Sequence, residues 1–262
     1  MGRYFSSQDL KPNQFDTIVI SPTNYFLFTP LLPGATTGTV EYCSLLESTR
    51  KICKRSGAEY IAGSCQDIST ATKTISIKDN DGLVCDIKYD KLVIALGARN
   101  ETYSIPGVKE HVHFLKSITD ARKIRDKIST LFEQASFPAT TEQEKPRLMT
   151  FVIVGGGPTG VEFAAELYDF LKKDLIHYYP DLVKRYVRVI LIQGVDHILN
   201  TFDQIISAYT EERFQRQHIQ VITNAFVTSA EKDVLSYKIK KGEGWETLKT
   251  RLLMGFVYGV RE

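Results

Sequence analysis

Residues 149–175, MTFVIVGGGPTGVEFAAELYDFLKKDL, decide the fold. Thr150 to Val154 form a short apolar run of the kind buried in a parallel sheet. Gly155-Gly156-Gly157-Pro158-Thr159-Gly160 follows at once and satisfies G-x-G-x-x-G. Beyond it, Val161, Ala164, Ala165, Tyr168 and Leu171 recur at helical spacing. The pattern is weak alone, but between an apolar strand and an amphipathic helix it reads as a dinucleotide-binding turn. Gly155 allows the tight turn, Gly157 lets backbone approach a pyrophosphate, and Gly160 lets helix and strand pack closely. The helix N-terminus then turns free N–H groups and a positive dipole end toward phosphate.

Downstream, VRVILI (187–192) reads as a second strand and IQVI (219–222) as a third. Between them Phe202, Ile205, Ile206 and Tyr209 form one stripe of a second helix. A meander with KGEGW at its turn and a final apolar run, LLMGFVYGV, complete the unit. Strand-helix-strand-helix-strand at these lengths predicts parallel, right-handed βαβ connections. The second strand should end in an acid that holds a ribose 2′-OH. Here it ends at Gln193, 33 residues past Gly160, so the intervening helix is longer than usual. A glutamine hydrogen-bonds a ribose without repelling a 2′-phosphate, which would admit NADPH as well as NADH. Two alternatives stand beside it: Gln193 has no consequence for the cofactor, or Asp196 takes the acidic role. Glu162 and Glu166 lie four apart on one helix face. Glu162, one turn past the phosphate end, is either placed to reach a nicotinamide or part of a solvated face.

Upstream, TIVIS (17–21) reads as a buried strand, followed by a Pro- and Gly-punctuated loop, SPTNYFLFTPLLPGATTGTV. Glu41 to Arg55 reads as a helix, and residues 59–90 as a meander turning at DNDG. KLVIALGA (91–98) has the look of a buried parallel strand ending in glycine. Ser117 and Asp120 are spaced as a helix start, predicting a helix over 119–136. The polar loop FPATTEQEKPR, bracketed by Pro138 and Pro146, places a boundary near Arg147.

Composition bounds the function classes. The 262 residues are 43% hydrophobic and 24% charged, which excludes disorder as the dominant state. The net charge of +2, with no long basic run, gives no case for nucleic acid. No stretch reaches the ~20 apolar residues of a membrane span. MGRYFSSQDL lacks an apolar signal core and an import sequence's amphipathic length, though Gly2 and Ser6 fit the loose myristoylation pattern. Cys43, Cys53, Cys65 and Cys85 sit at neither redox-dithiol nor zinc spacing, as expected of reduced thiols. His111 and His113 would share one strand face, but without a third ligand no metal site is expected.

The sequence resembles the type II NADH dehydrogenases, single-chain, non-proton-pumping NADH:quinone oxidoreductases of mitochondria and bacteria. The resemblance is carried by VISPTNYFLFTPLLPGATTGTVE, KLVIALGARNETYSIPGV, HFLKSITDARKIRDKI, FVIVGGGPTGVEFAAELYDFL and LIQGVDHILNTFD. These cover nearly the whole chain from about Phe15 and fit mitochondrial members best. The resemblance implies an α/β fold of two Rossmann-like domains, an NAD domain inserted in an FAD domain. It implies hydride transfer from NAD(P)H to FAD, then electron transfer to ubiquinone, with FAD carrying the redox chemistry. On matching positions, Ser21, Pro22, Asn24, Thr29 and Pro30 would face FAD, and Ala95 and Gly97 would touch the flavin. Gly155, Gly157 and Gly160, with Gly156, Pro158 and Thr159 between them, would bind the NADH pyrophosphate. Glu162 would sit near the nicotinamide–flavin junction as the catalytic candidate, and Gln193 would take the ribose position where NADH-specific members carry Glu.

Departures from the pattern qualify those expectations. Family members open with a G-x-G-x-x-G of their own for FAD. They later return through an A-T-G strand, where Val257-Tyr258-Gly259 stands here, to a Gly-Asp motif and C-terminal amphipathic helices. This chain therefore matches only the middle of such an enzyme, and TIVIS is expected to lack a neighbouring strand. The expected organisation is a partial FAD-binding domain (1–117), a connecting helix and loop (118–147), an NAD(P)H-binding domain (148–252) and the start of the return (253–262). FAD, NAD(P)H, a quinone, peripheral contact with the mitochondrial inner membrane and a homodimer are the implied partners. A non-catalytic NAD(P)H-binding fragment is the alternative. A pyridine-nucleotide disulfide reductase would share the plan but needs a vicinal dithiol that the four cysteines do not supply.

Overall fold

The computed structural model describes residues 15–97, 99–241, 244–251, 255–257 and 260–261. The chain divides into two units, residues 1–28 with 42–96, and residues 29–41 with 97–262. Gly2, Ser6, Ala98, Tyr258 and Gly259 lie outside the described residues, as does the tip of the KGEGW turn.

In the first unit, β1 (Ile18–Ser21) pairs in parallel with β4 (Glu59–Ala62). TIVIS thus has a neighbour, contrary to expectation, because the strand after the next helix returns beside it. Tyr60 Oη donates to the Ser21 carbonyl at 3.0 Å and ties the two strand ends together. β2 (Tyr25–Leu27) pairs with β3 (Leu46–Ser48), which breaks up the helix expected over 41–55. Only Thr49–Ser56 is α-helical. Ser48 decides where it starts: its side chain caps the Lys51 N–H, while Gly57 ends it in the left-handed region at φ +71°. β5 (Ser64–Ser69), β6 (Thr74–Lys78) and β7 (Val84–Lys88) form the antiparallel meander. Its DNDG turn is fixed by Asp79 Oδ1, which accepts from the Asp81 and Leu83 N–H groups. The run 92–97 forms no strand; Val93, Ile94 and Leu96 are 72%, 64% and 86% exposed. No described strand pairs with this run, so it has no ladder and no cover.

The second unit is built on a parallel sheet in the order β11-β10-β9-β15. After a short β8 (Arg99–Asn100), β9 (Thr150–Val154) is central, with β10 (Arg188–Ile192) on one side. β11 (Gln220–Ile222) extends the β10 edge. Then β12 (Ala225–Ala230), β13 (Val234–Lys241) and β14 (Gly244–Arg251) make the expected meander. β15 (Gly255–Val257) returns to lie parallel beside β9, and β16 (Val260–Arg261) pairs with β8.

Alternate residues of β9 serve opposite faces. Phe151 stacks at 6.4 Å on Phe132 of the long helix Ile118–Ser136. Val152 joins Ile190, Ile192, Ala225, Leu235 and Tyr237 beneath the meander. The sheet is thereby buried between helices and a second sheet, which is why its strands are continuously apolar. The long helix opens on a full capping box: Ser117 Oγ accepts from the Asp120 N–H at 3.1 Å, and Asp120 Oδ2 accepts from the Ser117 N–H at 2.9 Å.

The expected loop 29–41 is more ordered than read. Thr29–Leu31 makes a 3-10 turn, and Leu32–Thr37 is a wholly buried helix packed against Ile118–Ser136 and Pro158–Asp169. Pro33 starts that helix and Gly38 ends it. The Phe202–Tyr209 stripe exists but faces outward: Phe202, Ile205, Ile206 and Tyr209 are all exposed, while the helix Gln204–Arg216 buries Ser207 and Phe214. Helical spacing identifies a stripe but not which way it faces. His111 ends a short helix (Val108–His111) and His113 sits at an isolated bridge, so the two do not share a strand face. No described helix is long and apolar enough to cross a membrane.

Candidate functional site

The glycine turn lies at the C-terminal end of β9. Gly155 has φ +106°, a conformation that side chains rarely adopt, and its N–H donates to the Ile192 carbonyl at 2.8 Å. A Cβ on Gly160 would stand 2.0 Å from the Gly155 carbonyl oxygen, so helix and turn meet with no room for one. At Gly157 the same test finds open space within 4 Å. The helix Pro158–Asp169 begins there, with Pro158 in its first turn and no side chain capping its N-terminus. Its first-turn N–H groups are free of side-chain partners, as an anion site requires.

Residues 193–199 close over this turn, which the motif itself does not reveal. Gln193 Oε1 accepts from the Gly156 N–H at 2.9 Å. The Leu199 N–H donates to the Gly156 carbonyl at 2.7 Å. Ile198 packs so near that a Cβ on Gly156 would meet its Cγ2 at 2.8 Å. Gln193 is therefore bound to the glycine turn through its oxygen, leaving its –NH2 as the edge to present outward. Asp196 is exposed and pairs with its neighbour, Oδ1 lying 2.6 Å from His197 Nδ1. Gln193 touches the turn directly, whereas Asp196 spends an oxygen on His197.

The two helix carboxylates have separate surroundings. Glu166 Oε2 accepts from Thr39 Oγ1 at 2.9 Å and from Thr37 Oγ1 at 3.4 Å, which ties the corner after the buried helix to the nucleotide helix. The sequence signal for this clasp is the TTGT run at 36–39. Glu162 is open to solvent on one side, and its carboxyl is raised above its ordinary value, first by the desolvation of its protein-facing side and then by the Glu166 charge.

The residues expected to face a flavin are divided between the units. Ser21, Pro22, Asn24 and Ala95 belong to the first, and Thr29, Pro30 and Gly97 to the second. All are exposed except Ser21, which is half-buried. Gly97 has φ +68° and open space where a Cβ would stand, so flat rings meet no side chain there. Among the described residues no group of His, Cys, Asp and Glu could hold a metal ion. Cys43, Cys65 and Cys85 are exposed free thiols, and Cys53 is a buried one.

Residues 5–261 match the family described as pyridine nucleotide-disulphide oxidoreductase. The chain belongs to that family. Its α/β architecture is of the FAD/NAD(P)-binding type, and its sequence is similar to those of mitochondrial NAD(P)H-ubiquinone oxidoreductases. It is 44% identical over 241 residues to the external alternative NAD(P)H-ubiquinone oxidoreductase B1, mitochondrial, of Solanum tuberosum, covering 89% of this chain and 42% of that one. It is 42% identical over 227 residues to the external NADH-ubiquinone oxidoreductase 2, mitochondrial, of Saccharomyces cerevisiae, covering 85% of this chain and 42% of that one. The solved structure of NDH2 from Plasmodium falciparum in complex with NADH superposes with a TM-score of 0.90 at 33% identity, over 97% of this chain and 52% of that one. The chain thus spans about two-fifths of the length of these curated relatives.

Proposed function

We propose that this chain carries the NAD(P)H-binding and part of the flavin-binding machinery of an FAD-dependent NAD(P)H:quinone oxidoreductase. The observation that carries the reading is the glycine turn: a Gly155 at positive φ, a Gly160 with no room for a side chain, an open Gly157 and an uncapped helix N-terminus. That arrangement fits a pyrophosphate. Gly157, Thr159 and Gly160 offer it backbone N–H groups and the helix dipole, while Gly155, Gly156 and Pro158 shape the turn, the first two with their N–H groups already given to Ile192 and Gln193. Gln193 holds the ribose with its amide –NH2, a neutral donor that tolerates a 2′-phosphate. Glu162, with its raised proton affinity, is the group able to hold a proton one helical turn from the phosphates. Ser21, Pro22, Asn24, Thr29, Pro30, Ala95 and Gly97 are the flavin-facing residues, and the open Gly97 fits a flat ring system. FAD, when bound, supplies the redox chemistry between NAD(P)H and a quinone.

The domain reading that goes with this is 1–117 for flavin binding, 118–147 as connector, 148–252 for NAD(P)H, and 253–262 as the return. The names of the curated relatives support a ubiquinone acceptor and a mitochondrial site. Peripheral contact at the inner membrane and a homodimer belong to the same reading and rest on the family resemblance alone. A second reading, a non-catalytic NAD(P)H-binding module, is favoured by one observation: Val93, Ile94 and Leu96 lie bare. One experiment separates the two. The purified 262-residue chain is incubated with FAD, freed of excess and examined by absorbance. A retained flavin band that bleaches with NADH or NADPH is the expected result for the enzyme. NADH binding without retained flavin would leave the module.

A further inference from the structure

Resting on the nucleotide-binding reading above, we propose that Phe226 and Trp245 form an aromatic ledge that stacks the purine ring of the dinucleotide. The two rings meet edge to face with centroids 5.6 Å apart, and both are about half exposed, at 51% and 54%. Aromatic side chains carry large apolar area and are most often buried against a core. This pair is not, because strand register puts it on the opposite side from the core. Ala225 opposite Ile239 and Val227 opposite Tyr237 are the rows that face the buried cluster. Phe226 opposite Lys238, and Lys240 opposite Trp245, therefore share the outer face.

What gives that face a ligand is its continuity with the glycine turn. Gly194 follows Gln193 directly, and a Cβ on Gly194 would stand 3.0 Å from Phe226 Cε1, so the ring lies against bare backbone. The same Gln193 accepts the Gly156 N–H through its side chain. Its own backbone carbonyl accepts the Ala225 N–H at 3.0 Å. Gly156, Gln193, Gly194 and Phe226 form one unbroken path from the pyrophosphate turn to the aromatic pair. An adenosine leaving the turn past Gln193 meets the edge of this ledge next. Lys238 and Lys240, exposed on the same face, give it the charge that suits an anionic nucleotide. Every base presents a π-face, so such a ledge accepts a purine without reading its edges.

Trp245 is the sole tryptophan of the chain, so its emission reports on the ledge alone. The whole 262-residue chain is excited at the tryptophan edge and titrated with AMP, then with nicotinamide mononucleotide. Saturable quenching by AMP and none by nicotinamide mononucleotide is expected. NADH affinity, read separately by calorimetry, should fall about tenfold in Phe226→Ala, as for loss of one stacked base. It should fall similarly in Phe226→Leu, which keeps the bulk, and stay near that of the unsubstituted chain in Trp245→Phe, which keeps a ring. NADH binding with silent Trp245 emission and an unchanged affinity in both Phe226 variants would overturn the ledge and leave the nucleotide site standing. AMP quenching without NADH binding would uphold the ledge as an adenosine site while the oxidoreductase reading fell. Binding of neither would end both.

Discussion

Two segments of this chain are written in nearly the same local code and end in opposite states. Thr150–Gly155, TFVIVG, and Leu92–Gly97, LVIALG, are both apolar runs ending in a glycine with positive φ. In the first, Phe151, Val152 and Ile153 are at most 1% exposed. In the second, Val93, Ile94 and Leu96 are mostly bare. Composition does not separate them; neighbours do. β9 has a parallel partner on each edge, helices on one face and a meander on the other. The run 92–97 has no described partner strand. A buried strand is a property of the sheet that receives it, and a six-residue run does not supply one.

The comparison breaks most sharply at the glycines. Gly160→Val puts a branched side chain where the first Cβ already stands 2.0 Å from the Gly155 carbonyl. It should abolish NADH binding and cost about 3 kcal/mol or more of stability, since backbone must move. Urea unfolding and calorimetry check both. Gly157→Ala faces open space in the protein. It should leave stability within about 0.5 kcal/mol while weakening NADH, because the space it fills is the ligand's. Equal losses in both variants would erase the distinction between packing and binding glycines.

Next in size are the matched isoleucines. Ile153→Ala empties a fully buried site and should cost about 2–5 kcal/mol. Ile94→Ala, at 64% exposure, should change stability by less than about 0.5 kcal/mol in the same urea titration. A large loss at Ile94 would mean that the run is covered in solution.

Those pairs also indicate what the sequence could announce. The β9 turn-and-helix was legible because G-x-G-x-x-G between two periodicities is over-determined: strand, turn and helix each predict the same register. The Ser117 capping box was legible for the same reason, a local hydrogen-bond pair spelled by two residues. The helix expected over 41–55 failed because Leu46–Ser48 pairs with Tyr25–Leu27, about 20 residues earlier, and no window on one segment contains that partner. The Phe202–Tyr209 stripe was found but turned the wrong way, since periodicity gives a face and not a neighbour. At the site, the glycines were plain, whereas the closing contacts of Gln193, Leu199 and the Thr39–Glu166 clasp join positions 37 to 127 residues apart.

A smaller effect tests what Gln193 does at that closure. Gln193→Glu keeps an oxygen able to accept the Gly156 N–H but replaces the outward –NH2 by charge. Like charge against a 2′-phosphate should shift the NADPH-to-NADH affinity ratio about tenfold toward NADH, with stability nearly unchanged. Unchanged relative affinities would confine Gln193 to holding the turn.

The smallest effect is at Glu162, and its sign is fixed by linkage. Partial burial, then the Glu166 charge, raise the Glu162 carboxyl above its unfolded value. Between the two pKa values the folded chain binds more protons than the unfolded one, so stability falls as pH rises through that window. It is constant below the unfolded value, where both states are protonated. Glu162→Gln should flatten this fall in urea midpoints taken from the ordinary carboxylate range upward. Glu166→Gln removes the second cause while keeping an acceptor for Thr39, so it should narrow the window without closing it. If Glu166→Gln closed the window entirely, the neighbouring charge rather than burial would dominate Glu162.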